Sequence, residues 1–222
     1  MSDQVGFFEG KDPITASFLI GQSPDTNGGS WSSTQSIGAA DADRWVYLAW
    51  NASSNFDTVT ISSVTCDGSA MTEVAYKKQD VGGNSYYAGI HKILKPTGTS
   101  ATFSVNVSGG TGLSRGCLFS TYRLISSTGF SEATDTDGGS TGTEYTMTTA
   151  GRPWGWTIVS MISYRTLGAP SITFDVLDRD VHLNPTTYYR HTSASRYGVG
   201  TSIATISSAP TASAIVGAAI YV

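Results

Sequence analysis

Cys66 stands directly against the turn dipeptide Asp67-Gly68 in SSVTCDGSAMTEVAY, and the second cysteine, Cys117, lies in SRGCLFSTYRLIS. A reactive thiol needs its pKa lowered by a nearby cation, a histidine or a helix N-terminus, and nothing local to Cys66 supplies one. Two free thiols and a Cys66–Cys117 disulfide both fit the sequence; the free form is the ordinary state in a reducing cytosol. No cysteine pair has ligand spacing and His91, His182 and His191 are scattered, so no zinc site is expected. A lone strand histidine is more often a surface or hydrogen-bonded residue than a base.

The acidic pairs Asp135-Thr-Asp137 and Asp178-Arg-Asp180 could chelate calcium, or supply an acid and a base for glycoside cleavage. DTDGGSTGTE, however, has Gly139 at the fifth position of a calcium loop and Thr146 where the terminal Glu belongs, so solvated loop acids are the expectation. No G-x-S-x-G, H-E-x-x-H, Walker or dinucleotide glycine motif occurs. No catalytic residue, metal or cofactor is therefore expected. Tyr188-Tyr189 with Trp31 or Trp154 could form an aromatic platform for a glycan, although strand aromatics usually fill cores.

The elements that would position these residues are strands. In ATFSVNVS, Phe103, Val105 and Val107 alternate with Thr102, Ser104, Asn106 and Ser108, the period-2 pattern of a half-buried strand, and SITFDV repeats it with Ile172, Phe174 and Val176. RWVYLAW and WGWTIVSMISY are apolar on both faces, as central strands covered on both sides must be. Turn signals punctuate the chain at NGG (27–29), DG (67–68), VGGN (81–84), KPTGTS (95–100), SGGTG (108–112) and DGGSTG (137–142). Ser and Thr hold 60 positions and Gly 25, which weakens helices and suits strands with polar turns. The expectation is an all-β, antiparallel β-sandwich, jelly-roll-like, of roughly twelve to fourteen strands.

A two-residue type I′ turn at Asp67-Gly68 would pair Val59 with Tyr76, Ile61 with Val74 and Ser63 with Thr72. Val59, Ile61, Val74 and Tyr76 then form the core face. Cys66, Val64 and Met71 fall on the opposite face, with the thiol at the hairpin tip.

No linker divides the chain. Residues 1–13 read as an N-terminal arm able to dock through Phe7 and Phe8, and 14–222 as one sandwich domain. The strand at 44–50 followed by TVTISSV is echoed by 154–164 followed by SITFDV, a likeness that any sandwich would produce. The C-terminal SAIVGAAIYV is about half a membrane span and must be tied into a sheet. No secretory signal is visible, so the sequons at Asn51 and Asn106 carry little weight. A net charge of -4 with no basic run beyond Lys77-Lys78 argues against nucleic acid as a partner, and nothing suggests a membrane.

In the succession TVTISSVTCDGSAMTEV, YYAGIHKILKPTGTSATFSVNVSGG and GCLFSTYRL, with TMTTAGRPWGWTIVSMISYR later, the chain resembles the β-sandwich structural proteins of tailed-phage particles over most of 44–222. That resemblance implies a virion protein made in the host cytoplasm: a head decoration, a collar or neck component, or a tail appendage. It implies no activity and no cofactor. The partners implied are its own copies and other virion proteins. A glycan-binding receptor or adhesion module recognising a host surface glycan is the alternative, and a glycoside-cleaving enzyme using the Asp pairs is a third reading.

Overall fold

The computed structural model of the chain describes residues 15–19, 30–55, 58–109, 114–139, 144–147, 155–164, 172–174, 179–183, 189–197, 202–206 and 212–221. The described strands are β1 (Thr15–Leu19), β2 (Ser30–Ser36), β3 (Arg44–Ser54), β4 (Thr60–Cys66), β5 (Ser69–Ala70), β6 (Thr72–Val81), β7 (Asn84–Leu94), β8 (Ser100–Ser108) and β9 (Ser114–Ile125). They continue with β10 (Ser131–Gly139), β11 (Glu144–Met147), β12 (Trp156–Tyr164), β13 (Ile172–Phe174), β14 (Arg179–Leu183), β15 (Tyr189–Tyr197), β16 (Ser202–Ile206) and β17 (Ala212–Tyr221). Every described pairing is antiparallel, and no helix occurs among the described residues. The fold is an all-β sandwich, as composition and periodicity require.

Four sheets form. Sheet I has the order β2-β8-β4-β5, sheet II β1-β9-β3-β7-β6, sheet III β10-β17-β12-β15-β14 and sheet IV β11-β16-β13. Sheets I and II enclose one core, in which Trp31, Val64, Cys66, Phe103 and Val105 meet Val46, Leu48, Trp50, Cys117 and Phe119. The other face of sheet II packs on sheet III, where Tyr47, Ala49, Ala88, Ile90 and Tyr122 meet Ile158, Ile162, Ala214, Val216 and Ala218. The far side of sheet III is buried as well, at Val159, Met161, Ile215 and Ala219. Sheet IV lies beside it, β11 against β17 and β13 against β15. The two-sided apolar segments are therefore β3 and β12, each central in a sheet with both faces covered. Each large apolar side chain removed from water here contributes about 1.5–3 kcal/mol. The C-terminal apolar run is β17, held between β10 and β12.

The Asp67-Gly68 turn forms with the expected local register, Cys66 opposite Ser69 and Thr65 opposite Ala70. Asp67 adopts φ 48 and Gly68 φ 78, the positive pair such a turn demands. The hairpin stops there. At Met71 the chain leaves sheet I for sheet II, where β6 pairs with β7, so the expected pairs Val59–Tyr76, Ile61–Val74 and Ser63–Thr72 do not form. The main partner of β4 is β8, and Ser62 is an extra residue between the pairs Ile61–Val107 and Ser63–Asn106. That bulge reverses the alternation, because one inserted residue moves all later side chains to the other face. Val64, Cys66 and Met71 consequently enter the same core as Val59, correcting the expectation that they lie on the opposite face. A second irregularity between Glu73 and Ala75 sends Val74 to the core between sheets II and III, while Tyr76 packs on the core between sheets I and II.

One further detail differs from the sequence reading. Asp137–Gly139 of the expected DGGSTG turn belong to β10, opposite Ile215–Ser213; a Cβ on Gly138 would lie 2.6 Å from the Ser213 carbonyl oxygen, so close strand approach, not a turn, explains that glycine. At one edge of sheet II, β6 carries Glu73, Lys77, Lys78 and Asp80, with Lys78 Nζ 3.2 Å from an Asp80 oxygen.

Candidate functional site

The densest polar chemistry lies between sheets II and III. β3 is apolar from Trp45 until Asn51, whose side chain follows Trp45, Tyr47 and Ala49 onto the face toward sheet III by simple alternation. Asn51 Nδ2 donates to Ser160 Oγ at 3.1 Å and to the Thr192 carbonyl at 3.0 Å, and Ser160 Oγ donates to the Trp50 carbonyl at 2.8 Å. His191 Nδ1 lies 2.6 Å from Asn51 Oδ1. A carboxamide oxygen can only accept, so His191 carries its proton on Nδ1. Beside this group Ser120 Oγ and Ser193 Oγ are 2.5 Å apart. Asn51, Ser120, Ser160 and His191 are all fully buried.

A serine, a histidine and an amide invite comparison with a nucleophile, a base and an orienting group. The geometry gives them another task. His191 bonds to Asn51 and not to Ser160, and the Ser160 hydroxyl is committed to the Trp50 carbonyl. Burial pushes His191 down to about 3, so it is neutral near pH 7 and its Nδ1–H is retained. What the cluster can do is fix one sheet against the other, since a buried amide is stable only in the register that satisfies it.

At the rim of the same seam, Glu132 of β10 accepts from Tyr47 Oη and from Lys92 Nζ, both at 2.6 Å on one carboxylate oxygen. Lys92 Nζ also lies 5.3 Å from the Trp45 ring centroid, and Phe130 meets Tyr47 edge-on. Burial first, then the Glu132 carboxylate, raises the Tyr47 phenol, which stays protonated as a donor. Arg44, at the start of β3, is also fully buried. Its guanidinium donates to the carbonyls of Lys95 (2.6 Å), Thr97 (2.6 Å), Ala39 (2.8 Å), Gly38 (2.9 Å) and Ile37 (3.3 Å), tying residues 37–39 to 95–97.

Cys66 and Cys117 are both free and both buried in the core between sheets I and II; the disulfide considered from the sequence is not formed. Burial, and then the Asp67 charge, pushes the Cys66 thiol up to about 11, and burial raises Cys117 well above its ordinary value. Trp31 is fully buried beneath sheet I, which corrects its assignment to a glycan platform: β2 turns it inward opposite Val105. Tyr188, Trp154, Asp178, Phe7 and Phe8 lie outside the described residues, and Tyr189 and Asp180 are described only as strand positions opposite Tyr164 and Ala194. His182 likewise is placed only as a position opposite Thr192. His91 is buried and accepts the Trp50 indole N–H on Nδ1 at 3.2 Å. Asp135 and Asp137 each accept from the next residue's own backbone N–H. Among the described residues no group of three or more His, Cys, Asp or Glu could hold a metal ion.

The sequence reading missed Asn51 and Arg44 as organising residues. It noted Asn51 only as a sequon of little weight, and burial precludes that role in the folded chain. The available signal was a lone carboxamide ending an apolar run. No known protein family, curated protein or solved structure matches the chain.

Proposed function

We propose that the chain is a non-enzymatic structural protein of a tailed-phage particle, a decoration, collar or tail component, acting through contacts with its own copies and with neighbouring particle proteins. The observation that carries this reading is the use made of polar chemistry. Asn51, Ser160, His191 and Arg44 are buried and engaged in holding strands and loops together. The outer face of sheet I supports it too: Ser32–Ser104, Thr34–Thr102, Thr60–Ser108 and Ser63–Asn106 bond across strands as an uncharged hydroxyl and amide surface. The resemblance at TVTISSVTCDGSAMTEV and the segments that follow supplies the particle.

Antibody labelling and mass spectrometry of purified particles test the proposal. The expected result is the chain at fixed copy number in one part of the virion. Presence in infected cells with absence from purified particles would overturn it. The glycan-binding alternative loses Trp31 from its platform. Glycan-array binding by the isolated protein, abolished by Tyr188→Ala, would replace the structural reading with that one.

A further inference from the structure

We infer that the chain is a tandem duplication of one jelly-roll sandwich, and that the seam between sheets II and III is an interface of the kind formed by two copies of one chain. Sheets I and II come entirely from β1–β9, and sheets III and IV entirely from β10–β17. Let β10, β11, β12 and β13 stand for β1, β2, β3 and β4, and β14, β15, β16 and β17 for β6, β7, β8 and β9. The order β1-β9-β3-β7-β6 then becomes β10-β17-β12-β15-β14, and β2-β8-β4 becomes β11-β16-β13. Both sheets of the second half are reproduced strand for strand. Only the two-residue β5 lacks a counterpart among the described residues.

The pairing is nested in each half. β1 pairs with β9, β2 with β8, β3 with β7 and β4 with β5, so first meets last inward to the middle, as in a long hairpin rolled into two sheets. The second half repeats β10 with β17, β11 with β16 and β12 with β15. Two unrelated sandwiches would have to arrive at this nesting and order independently.

The central contacts across the seam have the reciprocity of a two-fold interface, in which residue i on one side meets j on the other and j meets i, whereas those of β6 with β10 and β17 have no comparable counterpart between β14 and β1 or β9 among the described residues. β3 lies on its own counterpart β12. The contact of β3 with β15 is matched by that of β7 with β12, and that of β9 with β15 by that of β7 with β17. The echoed segments, a likeness any sandwich would produce, fall on corresponding strand pairs, β3 and β4 and then β12 and β13. A Tyr-Tyr pair also precedes Gly-Thr-Ser at the same spacing twice, Tyr86 to Gly98 and Tyr188 to Gly200. Fusion explains the polar seam as well: a true two-fold places identical residues near its axis, whereas Asn51 on β3 meets Ser160 on β12 and His191 on β15.

The test uses the full chain with a protease site inserted between the exposed Ser127 and Thr128, in the five-residue connection from Ile125 to Ser131. After cleavage, the expected result is a single 1:1 species of unchanged size with native amide protection in both halves. Ala218→Glu, or Ala88→Glu on the opposite side, puts a charge into the seam. Either should split the cleaved protein into two species, with the unsubstituted half keeping its protection. Separation of the cleaved unsubstituted protein, persistence of the 1:1 species in both variants, or loss of protection in the unsubstituted half of both would overturn the inference.

Discussion

Arg44 places five hydrogen bonds on backbone carbonyls of two loops. Arg44→Ala leaves those carbonyls in a closed pocket, and the expected loss is about 3–5 kcal/mol by urea denaturation, since bonds to a charged donor are worth more than neutral ones. The histidines act through protons. Burial holds His91 down at about 4 and His191 at about 3, against an ordinary value of 6.5. Both are neutral in the folded chain while the unfolded chain takes up protons below 6.5. Stability therefore falls as pH drops from 6.5 toward 4, by about 1.4 kcal/mol per unit for each histidine. Urea midpoints between pH 7 and pH 4.5 should show that slope, and His91→Gln should remove about half of it. A maleimide should leave Cys66 and Cys117 unlabelled in the native protein and label both in urea, because each thiol is buried and its pKa raised.

Between β3 and β7, Trp50 lies over Gly89, where an added Cβ would come within 2.6 Å of the indole. Gly89→Ala should cost about 1–3 kcal/mol, read as a lowered Tm, because Trp50 must move and its bond to His91 moves with it. At this scale much was legible beforehand. The alternation of β8 and the two-sided apolarity of β3 and β12 follow from side-chain burial alone, and the turn at Asp67-Gly68 from the φ its residues can adopt. The bulge at Ser62 was not, because it is a relation between β4 and β8 that β4 by itself does not encode. Nor was the passage to another sheet at Met71, which depends on where β7 already lies. The polar site was hidden for the same reason: Asn51 and His191 are 140 residues apart and meet only after two sheets have packed.

Across the whole molecule, that meeting point decides how the two pairs of sheets are set against each other. Asn51→Ala would strip partners from Ser160, His191 and the Thr192 carbonyl at once. It should cost about 3 kcal/mol, against about 1 kcal/mol for Ser160→Ala, with a coupling energy of about 1 kcal/mol in the double-mutant cycle because the residues share one network. The charged edge strand β6 has a consequence for solubility. Two molecules joining antiparallel through the middle of β6 would bring Glu73 of each opposite Asp80 of the other, acid against acid, where the ladder would otherwise extend. Such repulsion at an open edge is a recognised guard against fibrous growth. The acid pair thereby discourages one molecule from adding to another through this edge in that register.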